Sequence, residues 1–98
     1  MLPFELGVRF VDKDEWRKWL HRLSPRMQGR IRAKLARLTA YGTGLGMPLV
    51  RRLTSELFEL RVDKYRIYFV VGDHTVWILA SGDKDSQRRD ITRAQERI

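Results

Sequence analysis

The sequence contains no cysteine, which excludes disulfides, thiolate-bound metals, iron–sulfur clusters and a cysteine nucleophile together. No apolar run approaches the ~20 residues a membrane-spanning helix needs. The first ten residues carry Glu5 and Arg9 and lack the basic start and apolar stretch of a secretory signal. The expectation is a soluble protein of a reducing, cytoplasmic compartment, with no membrane partner. Acidic residues are also missing from a long central stretch. None lies between Glu15 and Glu56, while Arg17, Lys18, Arg22, Arg26, Arg30, Arg32, Lys34, Arg37, Arg51 and Arg52 all fall there.

What is present is the composition of a folded domain. The 98 residues are 43% hydrophobic and 33% charged, enough for one core and too few for two. The net charge of +8 is concentrated in the acid-free window, so one sector of the surface is strongly electropositive. Such a sector attracts a polyanion or an acidic partner through long-range attraction and counterion release.

Hydrophobic periodicity sets out the elements. Phe4, Leu6, Val8 and Phe10 alternate with Glu5, Gly7 and Arg9 as in a strand with one buried face. Asp12 and Glu15 form a capping-box pattern, after which Trp16, Trp19, Leu20 and Leu23 recur at helical spacing, predicting a helix over about 13–23. Ser24-Pro25 suits the start of a second helix, whose stripe of Met27, Ile31, Leu35, Leu38 and Tyr41 runs to about residue 41 before Gly42. Residues 42–48 hold three glycines and a proline and read as a flexible loop with no phosphate-binding fingerprint. Strands are expected at about 50–62, 65–71 and 74–81, linked by Asp63-Lys64 and Gly72-Asp73 as hairpins. Asp85 is expected to cap a last helix through Ile98, with Ile91, Ala94 and Ile98 on one side. The fold class is α+β in the order β-α-α-β-β-β-α, a single domain over 1–98. Its sheet is mainly antiparallel, with the two N-terminal helices packed on one face.

A two-residue turn at Asp63-Lys64 sets Val62 opposite Tyr65, Arg61 opposite Arg66, Leu60 opposite Ile67 and Glu59 opposite Tyr68. Phe58, Leu60, Tyr65, Ile67, Phe69, Val76, Ile78 and Ala80 then make the apolar face for the helices. Glu59, Arg61, Arg66 and Tyr68 share the other face, joined by Trp77, Leu79 and Ser81. Two opposed arginines repel; a bound anion or Glu59 would compensate them. His21 and His74 are read as surface residues, Trp16 and Trp19 as core. Asp83 and Asp85 are too few for a metal site, so neither metal nor cofactor is expected.

The element order, Leu57-Phe58-Glu59-Leu60-Arg61, Tyr65-Arg66-Ile67-Tyr68 and the terminal Gly82-Asp83-Lys84-Asp85-Ser86-Gln87 with Asp90-Ile91 resemble the RelE/ParE superfamily of type II toxins. The nearest subgroup is the HigB-like, phage Gp49-type addiction-module killer proteins. The resemblance spans nearly the whole chain and is most specific over 56–91. It implies a RelE-like fold, a toxin that cuts mRNA in the ribosomal decoding site, and a cognate antitoxin, expected to be a small helix-turn-helix protein. Arg61 and Arg66 match the strand arginines of the family's active face, and Lys84 stands where the family has a basic residue after the last strand. The chain departs from well-studied RelE toxins at Leu57 and Glu59, where those have strand lysines, and at Asp90, where they have a catalytic tyrosine.

Metal-free RNA cleavage uses the ribose 2′-hydroxyl as nucleophile, so charge building on the phosphate must be stabilised and protons moved. Arginine forks suit the charge. The catalytic candidates are Arg61 and Arg66 on the phosphate, Glu59 as general base, and Lys84 as acid or second charge stabiliser. The RNA-binding candidates are Tyr68 and Trp77, which would stack a base, with Gln87 and Arg88 at the start of the last helix. Tyr68 reads equally well as sheet packing. Two other functions stay open: a ParE-like toxin that inhibits DNA gyrase without cutting, and a decayed module kept as an antitoxin-bound repressor.

Overall fold

Leu6, Val8 and Phe10 keep the alternation expected of the first strand, and Gly7–Phe10 forms β1. The computed structural model describes residues 6–46 and 48–98; Phe4 and Glu5 of the expected strand, and Met47 of the expected loop, lie outside them. The first helix, α1, runs Lys13–His21, and its Asp12 cap accepts from the Glu15 backbone N–H at 3.0 Å. The reciprocal half of the capping box is absent, because the Glu15 carboxylate is taken by Arg97 at 2.7 Å. Ser24 caps α2, Pro25–Tyr41, by accepting from the Met27 N–H, with Pro25 in the first turn. Gly42 adopts φ 59°, open to glycine at little cost. Gly42–Leu45 then winds into a 3₁₀ turn where a shapeless loop was expected.

The expected strand 50–62 is two strands. Val50–Arg52 forms β2 and Phe58–Val62 forms β3, paired antiparallel with Arg51 opposite Glu59. Between them Thr54 Oγ accepts from the backbone N–H groups of Glu56 and Leu57, and Leu53 donates to the Leu57 carbonyl at 2.8 Å. This side-chain turn is the local alternative that Thr and Ser offer to a continuing strand. Tyr65–Gly72 forms β4 and Thr75–Asp83 forms β5. The sheet order is β1-β5-β4-β3-β2, with β1 parallel to β5 and every other pair antiparallel.

Trp16, Trp19, Leu20, Ile31, Leu35 and Leu38 from α1 and α2 pack with Leu60, Ile67, Phe69, Val76 and Ile78 in one core. The two N-terminal helices therefore cover one face, as expected. Each fully buried aliphatic there contributes roughly 1.5–3 kcal/mol. The opposite face has a second core of Leu57, Tyr68, Leu79, Ala80 and Ala94, covered by α3, Gln87–Glu96.

Parity changes within β5. The loop between β4 and β5 is Asp73-His74, both with positive φ, so Gly72 faces Thr75. This differs from the expected link by two residues in register, and Trp77 keeps its face. A bulge between Tyr68 and Phe69 then moves the register by one: Phe69 faces Ile78 but Tyr68 faces Ala80. An odd shift exchanges faces. Ala80 consequently joins Tyr68 in the second core, and Ser81, expected on the face of Arg66, turns to the other face, leaving Gly82 opposite Arg66.

Asp85 does not cap α3. Ser86 occupies the cap position, and the Asp83 carboxylate receives the N–H groups of Asp85 and Ser86 at 2.9 and 3.1 Å. The Ser86 hydroxyl instead donates to the buried Asp90 carboxylate at 2.5 Å. The helix ends before Ile98, which is 54% exposed and outside the expected apolar stripe. Its first turn sits directly over Gly82, where a Cβ would stand 1.9 Å from Asp90 Oδ2 and 2.6 Å from Ser86 Oγ. Gly82→Ala should therefore destabilise the protein by about 1–3 kcal/mol, as overpacking does, measured by urea unfolding. Adding Asp90→Ala should recover part of that loss in a double-mutant cycle, and strict additivity would show that the contact is unimportant.

Candidate functional site

Strand pairing puts Arg61 opposite Arg66 and Glu59 opposite Tyr68, so the four side chains share one face as expected. The face is not an open concavity. With α3 lying over β4 and β5, Glu59, Tyr68 and Asp90 are 0%, 0% and 1% exposed.

Glu59 is the centre of the arrangement. Its Oε1 accepts from Arg61 Nε at 3.1 Å and lies 3.9 Å from Arg66 Nε; its Oε2 accepts from Gln87 Nε2 at 2.6 Å. A carboxylate without solvent is tolerated only when paired and hydrogen-bonded, and these groups supply both. A general base that no 2′-hydroxyl can reach is a poor assignment, so the expected role of Glu59 is revised: it orients the arginines.

The two arginines are held differently. Arg66 commits Nη1 to the carbonyls of Asp63 and Tyr65 at 2.8 and 3.0 Å, and its side chain is 11% exposed. Arg61 is anchored through Nε alone, and its side chain is 29% exposed. Its two terminal nitrogens make no hydrogen bond among the described residues. Arg61 is thus the arginine that presents its fork outward.

Tyr68 cannot stack a base, because α3 covers its ring. Its hydroxyl makes no well-aligned hydrogen bond, and burial, then the charges of Glu59 and Asp90, push the phenol well above its ordinary value of 10.0. Trp77 is half-buried on the far side of the second core, with the Arg9 guanidinium 6.0 Å from its ring centre. It faces Val70, two residues along the strand from Tyr68 and four from Arg66. Lys84 is exposed in the turn before α3, its N–H bonded to the Lys64 carbonyl; Arg88 is exposed on α3. Gln87 is the expected residue whose contact with the cluster is direct.

Two features escaped the sequence reading. Arg51 lies directly across from Glu59; Thr54-Ser55 was the available sign of the intervening turn. Arg93 and Arg97 form the second: they donate to the carbonyls of Ser81 and Leu79 on the stretch of β5 beyond its pairing with β1, and both meet Glu15 of α1. These guanidinium groups satisfy an otherwise open strand edge. Beside them a cleft of about 380 Å³ is lined by residues including Arg22, Lys64, Ser86 and Arg89. Among the described residues no three His, Asp or Glu side chains gather as metal ligands, and His21 and His74 are both exposed.

The architecture is shared with solved toxin structures. A variant of E. coli toxin RelE with two arginines replaced by alanine, in the free state, superposes with a TM-score of 0.72 at 16% identity, covering 96% of this chain and 98% of that one. The toxin–antitoxin complex RelBE2 from Mycobacterium tuberculosis gives 0.60 at 24% identity, covering 81% and 98%. The RelB-RelE antitoxin-toxin complex from Methanococcus jannaschii gives 0.59 at 17%, covering 82% and 94%. The protein therefore has the RelE fold. Residues 18–98 match the phage-derived Gp49-like proteins (DUF891), and the chain belongs to that family. No curated protein matches it.

The buried phenol generates a test. A hydroxyl whose contact with Glu59 is poorly aligned contributes little net stability, so Tyr68→Phe should unfold within about 1 kcal/mol of the wild type at neutral pH. Because the folded phenol titrates above the unfolded one, the native state holds its proton longer. Stability present below pH 10 is then lost as pH rises further, and this loss should be smaller in Tyr68→Phe. Identical alkaline limbs in the two unfolding curves would contradict it.

Proposed function

We propose that this protein is the toxin of a type II toxin–antitoxin pair and that it is a metal-free endoribonuclease acting on mRNA at the ribosome. The observation that carries the reading is Arg61, fixed through Nε to a buried carboxylate and free at both terminal nitrogens, on the sheet of a RelE fold. A guanidinium held this way is pre-organised for a phosphate. A partner antitoxin follows from the same reading, supported by two of the similar structures being toxin–antitoxin complexes. The site of action would be the cytoplasm.

In this mechanism the RNA strand lies against the part of the sheet that α3 leaves open. The 2′-hydroxyl gives its proton to solvent water as its oxygen attacks the adjacent phosphorus, the bond from phosphorus to the 5′-oxygen breaks, and a 2′,3′-cyclic phosphate remains. Arg61 stabilises the charge on the phosphate oxygens as it builds, with Arg66 behind it adding to the field. Lys84, exposed at the end of the sheet, protonates the leaving oxygen. Glu59 and Gln87 hold the arginines in place.

Induced expression with mapping of transcript 5′ ends tests this. The wild type should arrest growth and produce new codon-phased ends. Arg61→Ala and Lys84→Ala should each reduce cleavage, Arg61→Ala by about 10²–10³-fold as for loss of one charge-stabilising donor; melting should be unchanged in Lys84→Ala and lower in Arg61→Ala, which unpairs the buried Glu59 carboxylate. Arg66→Ala should relieve toxicity as well, with a lower melting temperature because the residue is buried. Full toxicity of the Arg61 and Lys84 variants would refute the site. Intact transcripts accompanied by DNA damage would identify a gyrase inhibitor instead, and absence of toxicity a decayed module.

A further inference from the structure

The hairpin joining β2 to β3 places a third arginine on the face of Arg61 and Arg66. In antiparallel pairing Arg51 stands directly opposite Glu59, two residues along β3 from Arg61. Diagonal neighbours of this kind are about 7–8 Å apart at their backbones, within reach of one another's long side chains. Arg51 is exposed, and among the described residues it has no carboxylate partner and no side-chain hydrogen bond. Glu59 is unavailable to it: Arg61 and Gln87 hold its oxygens and no exposed surface remains.

The neighbouring Arg52 is a built-in contrast. It faces the other side of β2, donates to the carbonyls of Thr54 and Ser55 at 3.1 and 3.0 Å, and lies 5.8 Å from the Phe58 ring centre. Its charge is engaged in closing the hairpin. Arg51 has no such task, and among the described residues the strand carboxylate beside Arg51, Arg61 and Arg66 is Glu59.

We infer that Arg51 extends the candidate site into a track for single-stranded RNA, binding the phosphate next to the one held by Arg61. This rests on the nuclease reading for the identity of the ligand, but it concerns binding and not the chemical step. An arginine at the outermost strand is suited to holding a neighbouring phosphodiester while the inner pair faces the reacting one. Cross-strand spacing then sets the direction in which the RNA leaves the site, across β3 towards the β2 edge.

The probe is a short 2′-O-methyl oligoribonucleotide, which cannot be cleaved by its own 2′-oxygen. Its affinity for the full chain is measured as a function of salt. Each phosphate contact on a single strand contributes about 0.7 to the slope of log affinity against log salt. Arg51→Ala should lower that slope by about 0.7, Arg51→Lys should retain it, and Arg17→Ala, removing the same charge from exposed α1, should leave it unchanged. An unchanged slope in Arg51→Ala, an equal fall in Arg17→Ala, or no binding by the wild type at low salt would overturn the inference. The first of these would point to an acidic protein as the ligand of Arg51. Loss of the slope in Arg51→Ala together with no cleavage of natural RNA by the wild type would support the track while refuting the nuclease.

Discussion

The Glu59 carboxylate ties the sheet, the last helix and the arginines into one unit. Removed from water, it must be matched by charge and by donors: Arg61 of β3 and Gln87 of α3 donate to it, and Arg66 of β4 adds a positive charge 3.9 Å away. Burying an ion pair gives little net stability, since desolvation offsets most of the attraction. What the arrangement does achieve is geometry: Arg61 is held through Nε with its fork facing outward, and lifting the start of α3 would cost Glu59 the Gln87 hydrogen bond.

The rest of the α3 contact obeys the same constraint. Its first turn fits only because Gly82 has no side chain, which lets Asp90 and Ser86 approach the backbone. Gly82 occupies that position because the bulge in β5 changes parity after Trp77. Farther along, Arg93 and Arg97 answer the carbonyls of the open β5 edge and reach Glu15 on α1. One helix therefore closes the second core, caps an edge and sets the rear wall of the cationic face.

Helix positions were legible because their cause is local. Asp12 and Ser24 cap the helices that follow them, Pro25 suits the first turn of α2, and the apolar stripes of α1 and α2 have only one side to bury. The Asp63-Lys64 hairpin was legible too, and the opposition of Arg61 and Arg66 follows from it. The break at Thr54-Ser55 was harder to see: Val50 to Val62 carries strand-forming residues at both ends, and the interruption depends on one threonine hydroxyl. Arg51 was lost with it, since a continuous strand of eight residues' separation would hold it roughly 26 Å from Glu59.

Composition, charge and periodicity by themselves determined an α+β chain with two helices on one sheet face and a marked excess of arginine in its middle. Those properties depend on neighbours within a few residues, or on no neighbours at all. Tertiary structure alone decided that α3 covers half of the opposite face, that Glu59 and Tyr68 have no access to solvent, and that Arg51 joins Arg61. Each depends on contacts between segments distant in sequence. A one-residue bulge or a five-residue turn leaves hydrophobic periodicity almost untouched, yet reverses which side chains meet.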